Sequence, residues 1–352
     1  MRVAILGDSH FGMRGDSIAF HNLYRKFYTE TFFPYLKEHG IKDIMQMGDL
    51  FDRRKYISFQ TLALCRKYFF DIMIKEGINF YTLLGNHDIT FKNTLEVNSP
   101  ELLLKEYSNI KIYDKPSKFI DDIDIIPWIC PDNEKQILDF INNSTSTICF
   151  GHFELSGFEM DRGNVCKEGM NSNILKKYET VFSGHFHHKS SDGHINYVGS
   201  PGEMTWSDYN DERGFHIYDT VTRELEFIVN PHKMFYKIKY NDENMFYNEI
   251  IKTDYSEYAN KYVKIIIEKR INAFLFDTLI EQLTKVNPID VSVIEDFSDI
   301  SLTNEDVNIN EAEDTITILN KYVDSLTLPV ESDKIKAILR DVYAEAITLE
   351  HS

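Results

Sequence analysis

Seven side chains able to hold a cation follow short apolar runs along the chain: Asp8, His10, Asp49, Asn86, His152, His185 and His187. The aspartates offer two oxygens each, Asn86 a neutral carbonyl oxygen, and the four histidines a ring-nitrogen lone pair. His185 and His187 stand two apart, so an extended backbone aims both to one side. Seven donors are too many for one ion but suit two ions sharing a bridging aspartate, about 3.5–4 Å apart. Mixed oxygen and imidazole donors favour Mn, Fe or Zn over Mg. No cysteine falls in these blocks, which disfavours a structural zinc site. Two neighbouring divalent ions suit hydrolysis of a phosphate ester: they polarise phosphoryl oxygens, acidify water and offset charge on the leaving oxygen. His87, beside Asn86, is placed to approach the scissile phosphate, to stabilise developing charge or to protonate the leaving group. Asp52 and Asp88 read as residues that orient the donors from behind. His188 should face away from its neighbour, and His21, His39, His194, His216, His232 and His351 read as structural.

The segments that carry these residues repeat one pattern five times. Arg2-Val-Ala-Ile-Leu6 leads into Gly-Asp-Ser-His, and residues 41–47 into Gly-Asp-Leu-Phe-Asp. Residues 78–84 lead into Gly-Asn-His-Asp, 146–150 into Gly-His-Phe-Glu, and 180–182 into Ser-Gly-His-Phe-His. Each is a short strand-like run ending at a glycine. Helical patterns over 20–38 and 60–75 separate the first three and stop near Gly40 and Gly77. Strand–helix–strand repetition implies parallel strands with right-handed crossovers, whose carboxyl ends share one edge where ligands bind. A single Gly-Asp or Gly-His is ordinary turn chemistry. Five such turns, all bearing metal-capable groups, are not.

Composition sets the outer limits. The 352 residues suffice for two or three domains, and a hydrophobic fraction of 43% with 13% aromatic excludes global disorder. No run of about 18 apolar residues points to a membrane span, and the opening MRVAILGDSH lacks a signal-peptide layout. Cys65, Cys130, Cys149 and Cys166 are scattered, as in a reduced, cytoplasmic protein. The net charge of −18 is partly local: residues 291–314 hold eight acids and no base, and read as a solvated linker. Phosphate contacts need local Lys and Arg, so the overall sign neither requires nor forbids a nucleic-acid substrate.

Beyond residue 230 the chemistry-bearing motifs cease. Strand patterns over 234–240, 262–268 and 289–294, with a helix over Ala273–Lys285, describe a small α+β domain. Past the acidic stretch, Leu319, Tyr322, Val323 and Leu326 share helical spacing, Pro329 interrupts, and Ile335, Ile338, Leu339, Val342, Ala346 and Leu349 form a second apolar face.

The blocks GDSH (7–10), GDLFD (48–52), GNHD (85–88), GH (151–152) and GHFH (184–187), in this order, resemble the calcineurin-like metallophosphoesterases across residues 1–220. DIDIIPW (122–128), GHFELSGF (151–158), YVGSPGEMTWSD (197–208) and RGFHIYD (213–219) narrow the resemblance to the DNA nuclease branch of SbcD and Mre-eleven, its phage members above all. The resemblance implies an αββα two-sheet sandwich over 1–230, a capping domain over 231–296, the acidic linker 297–314 and a helical partner-binding hairpin over 315–352. It assigns Asp8, His10, Asp49 and His187 to one ion, Asp49, Asn86, His152 and His185 to the other, and makes His87 the catalytic histidine. Two manganese ions are the expected cofactors, with magnesium an alternative. Some relatives carry a second active-site histidine where this chain has Asp52, so that role is not carried over.

The implied activity is 3′→5′ exonuclease on double-stranded DNA and endonuclease on single strands. The implied setting is a homodimer working with an SbcC-type coiled-coil ATPase in break repair and recombination, in the host cytoplasm if phage-encoded. Ile335, Ile338, Leu339 and Val342 would engage the ATPase by helix-in-groove contact. Arg14, Arg53, Arg54, Lys55, Lys92, Arg162 and Lys189 follow the metal motifs, where a phosphate backbone would approach. The alternative is a phosphatase or small-molecule phosphodiesterase on the same scaffold. Phosphatases of this type usually hold an Arg before the GNH block, where this chain has Leu84. A non-catalytic scaffold is disfavoured by the intact donor set.

Overall fold

The computed structural model describes residues 1–120 and 122–295, and further on Val323, Ile335, Lys336, Ile338 and Leu339. The chain divides into two units, Met1–Asp296 and Phe297–Ser352.

The first unit is built on two six-stranded sheets. The chain first lays down β1 (Arg2–Leu6), β2 (Asp43–Gln46), β3 (Asn79–Leu83) and β4 (Ile110–Tyr113), all parallel. It then builds the second sheet from β5 (Ser117–Ile120), β6 (Ile123–Ile126) and β7 (Ile148–His152). After a small hairpin of β8 (Glu159–Asp161) and β9 (Asn164–Val165), that sheet is completed by β10 (Thr180–Gly184), β11 (Ser190–Ser191) and β12 (Ile195–Tyr197). β13 (Gly214–Asp219) and β14 (Leu225–Val229) return to the first sheet. Its order is β14-β13-β1-β2-β3-β4, against β11-β12-β10-β7-β6-β5 in the second. The five strands that deliver candidate donors are therefore split three and two between stacked sheets, rather than lying in one.

Burial on both faces explains the nearly continuous apolar runs of these strands. Ala4, Leu6, Ile44 and Phe80 pack under the helices of the first sheet. Val3, Ile5, Met45 and Leu83 alternate with them and meet Phe150 and Phe182 of the second sheet. Cys149 and Val181 face outward onto Ile137 and Ile141 of the helix Glu134–Asn143. The result is a helix–sheet–sheet–helix layering.

The helical segments over the first sheet are longer than their patterns predict and contain π turns. Ile18–Lys26 continues through Phe27–Phe32 to Phe33–Glu38, and Phe59–Cys65 through Arg66–Phe70 to Asp71–Glu76. The π turns carry adjacent aromatics, Phe27 and Tyr28 on one helix and Tyr68, Phe69 and Phe70 on the other, into the core. Rings of Tyr28, Phe69 and Phe70 close on Phe11 at centroid distances of 5.9, 5.4 and 6.1 Å. A stiff aromatic bed thus lies next to His10.

β15 (Phe235–Asn241), β16 (Tyr262–Lys269) and β17 (Asp290–Glu295) form a parallel three-stranded sheet. Helices Tyr247–Lys252 and Ala273–Lys285 supply Ile250, Leu275, Phe276, Leu279 and Leu283 to its own apolar cluster. Phe235 belongs to the core of the large sandwich, and Tyr262 packs against that core.

In the second unit the five described residues are helical, with Val323 buried and Ile338 exposed. The linker at 297–314, the rest of both expected C-terminal helices and Val342 lie outside the described residues. No described helix is long and apolar enough to cross a membrane.

Candidate metal centre

Each donor stands at or just past the carboxyl end of a strand, on a turn that bends sharply. Asp8 and His10 follow β1, Asp49 follows β2, and Asn86 and His87 follow β3. His152 ends β7, and His185 and His187 follow β10. His10, Asp49 and His185 have φ of 42°, 53° and 88°, a region that side chains with a Cβ seldom occupy. Such strain gathers at working sites where surrounding contacts enforce it. Glycine is required where the turns touch: a Cβ on Gly85 would strike Asp49, and one on Gly184 would strike Met47 and Asp8.

The donors fall into two adjoining sets. In one, His187 Nε2 lies 3.6 Å from Asp8 Oδ2 and 3.1 Å from His10 Nε2, and His10 Nε2 lies 3.7 Å from Asp49 Oδ2. In the other, His152 Nε2 is 3.4 Å from Asp49 Oδ2 and 3.0 Å from Asn86 Oδ1, which is 2.9 Å from His185 Nδ1. Asp49 Oδ2 belongs to both. Asp49 Oδ1 is occupied by the His87 N–H at 2.7 Å.

Tautomers show what the site needs. The backbone carbonyl of Met47 can only accept, so His152 Nδ1, 2.7 Å away, donates to it. In a neutral ring, His152 Nε2 then presents a lone pair to two further acceptors, Asn86 Oδ1 and Asp49 Oδ2. Three lone pairs meet with no hydrogen between them. A cation resolves that conflict, and so does a proton. The raised pKa of His152 reports the same tension. Burial lowers it, but the Asp49 carboxylate outweighs burial and lifts it to about 9. Burial lifts Asp8 to about 6, with Asp49 adding to the rise, and lifts Asp88 to about 7 in the same way. Asp49 is held well below the usual carboxylate range because His152, His10 and His87 overcome its burial. Burial depresses His185 to about 3 and His187 well below the ordinary imidazole value, so both stand as neutral lone-pair donors. This donor set fits two divalent ions. Among the described residues, three groups of side chains bring donor atoms within 4.8 Å of one another: Asp8, His10 and His187; Asp49, His152 and His185; and His10, Asp49 and His87.

Asp88 and Asp52 hold the frame. Asp88 is fully buried, and its carboxylate accepts N–H groups of Asp49 and Gly85 at 2.8 Å, Leu50 at 3.0 Å and Phe51 at 3.5 Å. It thereby clamps the turn after β2 to the turn after β3. The Asp52 carbonyl accepts His87 Nδ1 at 2.6 Å, and its carboxylate stands 3.4 Å from His10 Nδ1. With Nδ1 bound, His87 keeps Nε2 available. His87 lines a cavity of about 350 Å³ together with His10, Asp49, Asn86, His185 and His187. Asp8 and His152 lie fully buried beneath.

The seven basic residues are not equivalent. Arg14 lines the cavity. Arg53 is paired with Asp16 at 2.9 Å, and with Arg54 and Lys55 lines a separate pocket. Lys92 is exposed. Arg162 donates to the Asn210 carbonyl at 2.8 Å, and Lys189 lies 3.6 Å over the Phe227 ring and 3.7 Å from Glu212. His188 turns away from the donors to meet Asp211 at 2.8 Å and Glu159 at 3.3 Å.

Reading for donors alone passed over residues that shape the site. Trp128 packs against His185 and His152 at 5.2 and 5.8 Å between ring centroids. Arg213, buried and paired with Asp208 at 2.6 Å and Asp211 at 2.8 Å, donates to the His187 carbonyl and so holds the GHFH turn. Met204 and Thr205 line the cavity. All four sit in the DIDIIPW, YVGSPGEMTWSD and RGFHIYD blocks, so the signal was present without a reason to read it.

A family model described as calcineurin-like phosphoesterase matches residues 1–189. The chain is 33% identical over 356 residues to exonuclease subunit 1 of Enterobacteria phage T4, spanning 98% of this chain and 99% of that protein. It is 23% identical over 353 residues to the SbcD component of the SbcCD nuclease of Staphylococcus epidermidis, spanning 86% and 90%. A solved archaeal phosphodiesterase aligns with a TM-score of 0.33 at 15% identity, over 65% of this chain and 99% of its own, too slight a likeness to bear on the fold.

Proposed function

The chain belongs to the calcineurin-like phosphoesterase family, and on that premise we propose that it is a manganese-dependent DNA nuclease. In this reading it degrades duplex ends 3′→5′, cuts single strands, and forms the catalytic subunit of an SbcC/SbcD-type complex in the cytoplasm. The observation that carries the reading is the meeting of two donor sets at Asp49 Oδ2 beneath a cavity that His87 also lines. The names of the phage and staphylococcal relatives support nuclease action over phosphatase action.

Asp8, His10, Asp49 and His187 would hold one ion, and Asp49, Asn86, His152 and His185 would hold the other. The pair, when bound, supplies Lewis-acid polarisation of the phosphoryl oxygens and an acidified water. The chain's own residues do the rest. Met47 and Asp88 fix His152 and the Asp49 turn, so the donors meet substrate already arranged. His87, anchored through Nδ1–H to the Asp52 carbonyl, would in its imidazolium form give the Nε2 proton to the oxygen that leaves as the P–O bond breaks, ending as a neutral ring with its Nδ1–H still on that carbonyl. Trp128 walls the His152–His185 side against solvent.

Arg14, Arg54, Lys55 and Lys92 are the candidates for backbone contacts to DNA. Arg53, Arg162 and Lys189 are weaker candidates because each has a partner within the chain. Residues 231–296 act as the capping domain, and 315–352 bind the ATPase, with two copies of the chain per complex. Incubation with manganese, an oligonucleotide and a chromogenic phosphomonoester tests the reading: DNA is cut, and hydrolysis of the monoester alone refutes it. Deleting 315–352 should abolish capture of the ATPase, and unaltered capture refutes that assignment.

A further inference from the structure

Among the described residues, Arg14 is the one arginine or lysine that lines the cavity over the donors. It is exposed, in a tight loop where Gly12, Arg14, Gly15 and Asp16 have φ of 94°, 54°, 70° and 61°. A run of left-handed backbone that includes Arg and Asp needs contacts that enforce it.

Asp16 provides those contacts. Its Oδ1 accepts Ser58 Oγ at 2.9 Å and Thr61 Oγ1 at 2.6 Å, and its Oδ2 takes Arg53 Nη1 at 2.9 Å. The three donors belong to the segment after β2 and the start of helix Phe59–Cys65, so Asp16 ties the loop after β1 to them. Gly12 permits the closure, since a Cβ there would lie 3.0 Å from Asp16 Oδ1. Arg53 is thereby committed to Asp16, and it stacks 4.8 Å over Tyr56. Arg14 is left lining the cavity.

We propose that Arg14 grips the phosphate next to the scissile one on a polynucleotide, and that Asp16 is the positioning residue that holds Arg14 there. The inference rests on the nuclease reading above and names what the site prefers within it. A guanidinium forks onto phosphate oxygens through paired N–H groups, a geometry that needs a fixed backbone. A single diester gripped at the donors has no second phosphate for Arg14. A chain of phosphates does, so the pair distinguishes polynucleotide from lone diester.

The test uses the full-length, manganese-loaded protein with a single-stranded oligonucleotide and with bis(p-nitrophenyl) phosphate. For Arg14→Ala, KM for the oligonucleotide should rise about ten-fold more than KM for the small diester, as expected for losing one charged hydrogen-bonded contact. The slope of log KM against log salt should fall by about 0.7, the share of one phosphate on a single strand. Asp16→Asn should move both readouts the same way and add little in the Arg14→Ala background. Should Asp16→Asn fold poorly, Ser58→Ala and Thr61→Val each remove one donor and carry the same test. An unchanged salt slope in Arg14→Ala, or full additivity of the two substitutions, overturns the inference while leaving the nuclease reading standing. A wild-type protein that cuts no oligonucleotide overturns both.

Discussion

Replacing His87 with alanine separates the role of a proton from that of the cations. The backbone N–H of residue 87 remains, so the 2.7 Å bond that steadies Asp49 Oδ1 survives the substitution. What disappears is an imidazole whose Nδ1 is committed to the Asp52 carbonyl at 2.6 Å, with Nε2 as its one group free to act on substrate. A positioned general acid contributes about 10²- to 10⁴-fold, or about 3–5 kcal/mol of barrier. That contribution is needed when the leaving oxygen is a poorly stabilised sugar alkoxide. It is much smaller when the leaving group departs as a stable anion. His87→Ala should therefore lose about 10²- to 10⁴-fold in kcat on an oligonucleotide, but far less on bis(p-nitrophenyl) phosphate. Its manganese content should stay at the wild-type value. Equal losses on both substrates would refute the proton-transfer role. Loss of bound metal would instead place His87 among the ligands, as its proximity to His10 and Asp49 permits.

Other expectations follow from the same geometry. Asp88→Asn keeps the shape but turns an NH₂ toward backbone N–H groups that now have a carboxylate oxygen. Leaving one or two buried donors unmatched costs about 2–4 kcal/mol, read by chemical denaturation of the metal-free protein; a change within error would contradict the clamp. In that metal-free protein, stability should fall as pH rises from 7.5 to 8.5, above the range in which the depressed His185 and His187 act in the opposite sense. Asp8 and Asp88, raised to about 6 and about 7, favour the fold fully only below their ordinary value near 3.8. His152, raised to about 9, does so fully only below about 6.5. Manganese must displace those protons, so its gain in Tm should be larger at pH 8.5 than at pH 5.5; an equal gain would contradict the donor assignment.

Much of this site was legible because its signals are local. A glycine after an apolar run, then Asp, His or Asn, announces a strand tip with a usable side chain, and Asp8, Asp49, Asn86, His152 and His185 all stand on such tips. The division of β1, β2 and β3 from β7 and β10 into separate sheets was not visible in the residues, because a strand buried on both faces reads the same in either. The π turns at Phe27–Phe32 and Arg66–Phe70 were hidden too, since they exist to pack Phe11, Tyr28 and Phe69 together. The fate of basic residues is tertiary: Arg53 and Arg162 follow the motifs as Arg14 does, yet Asp16 and Asn210 engage the first two. Arg213 acts on His187 from 26 residues away through a backbone carbonyl, a contact that no spacing rule announces.

Whether Asp49 Oδ2 would join two cations decides between a paired and a single metal site. Anomalous diffraction from crystals of the manganese-loaded protein tests it most directly. Two peaks about 3.5–4 Å apart, both within bonding distance of Asp49 Oδ2, are the predicted result. A single peak, or two peaks that do not share Asp49, would contradict the account.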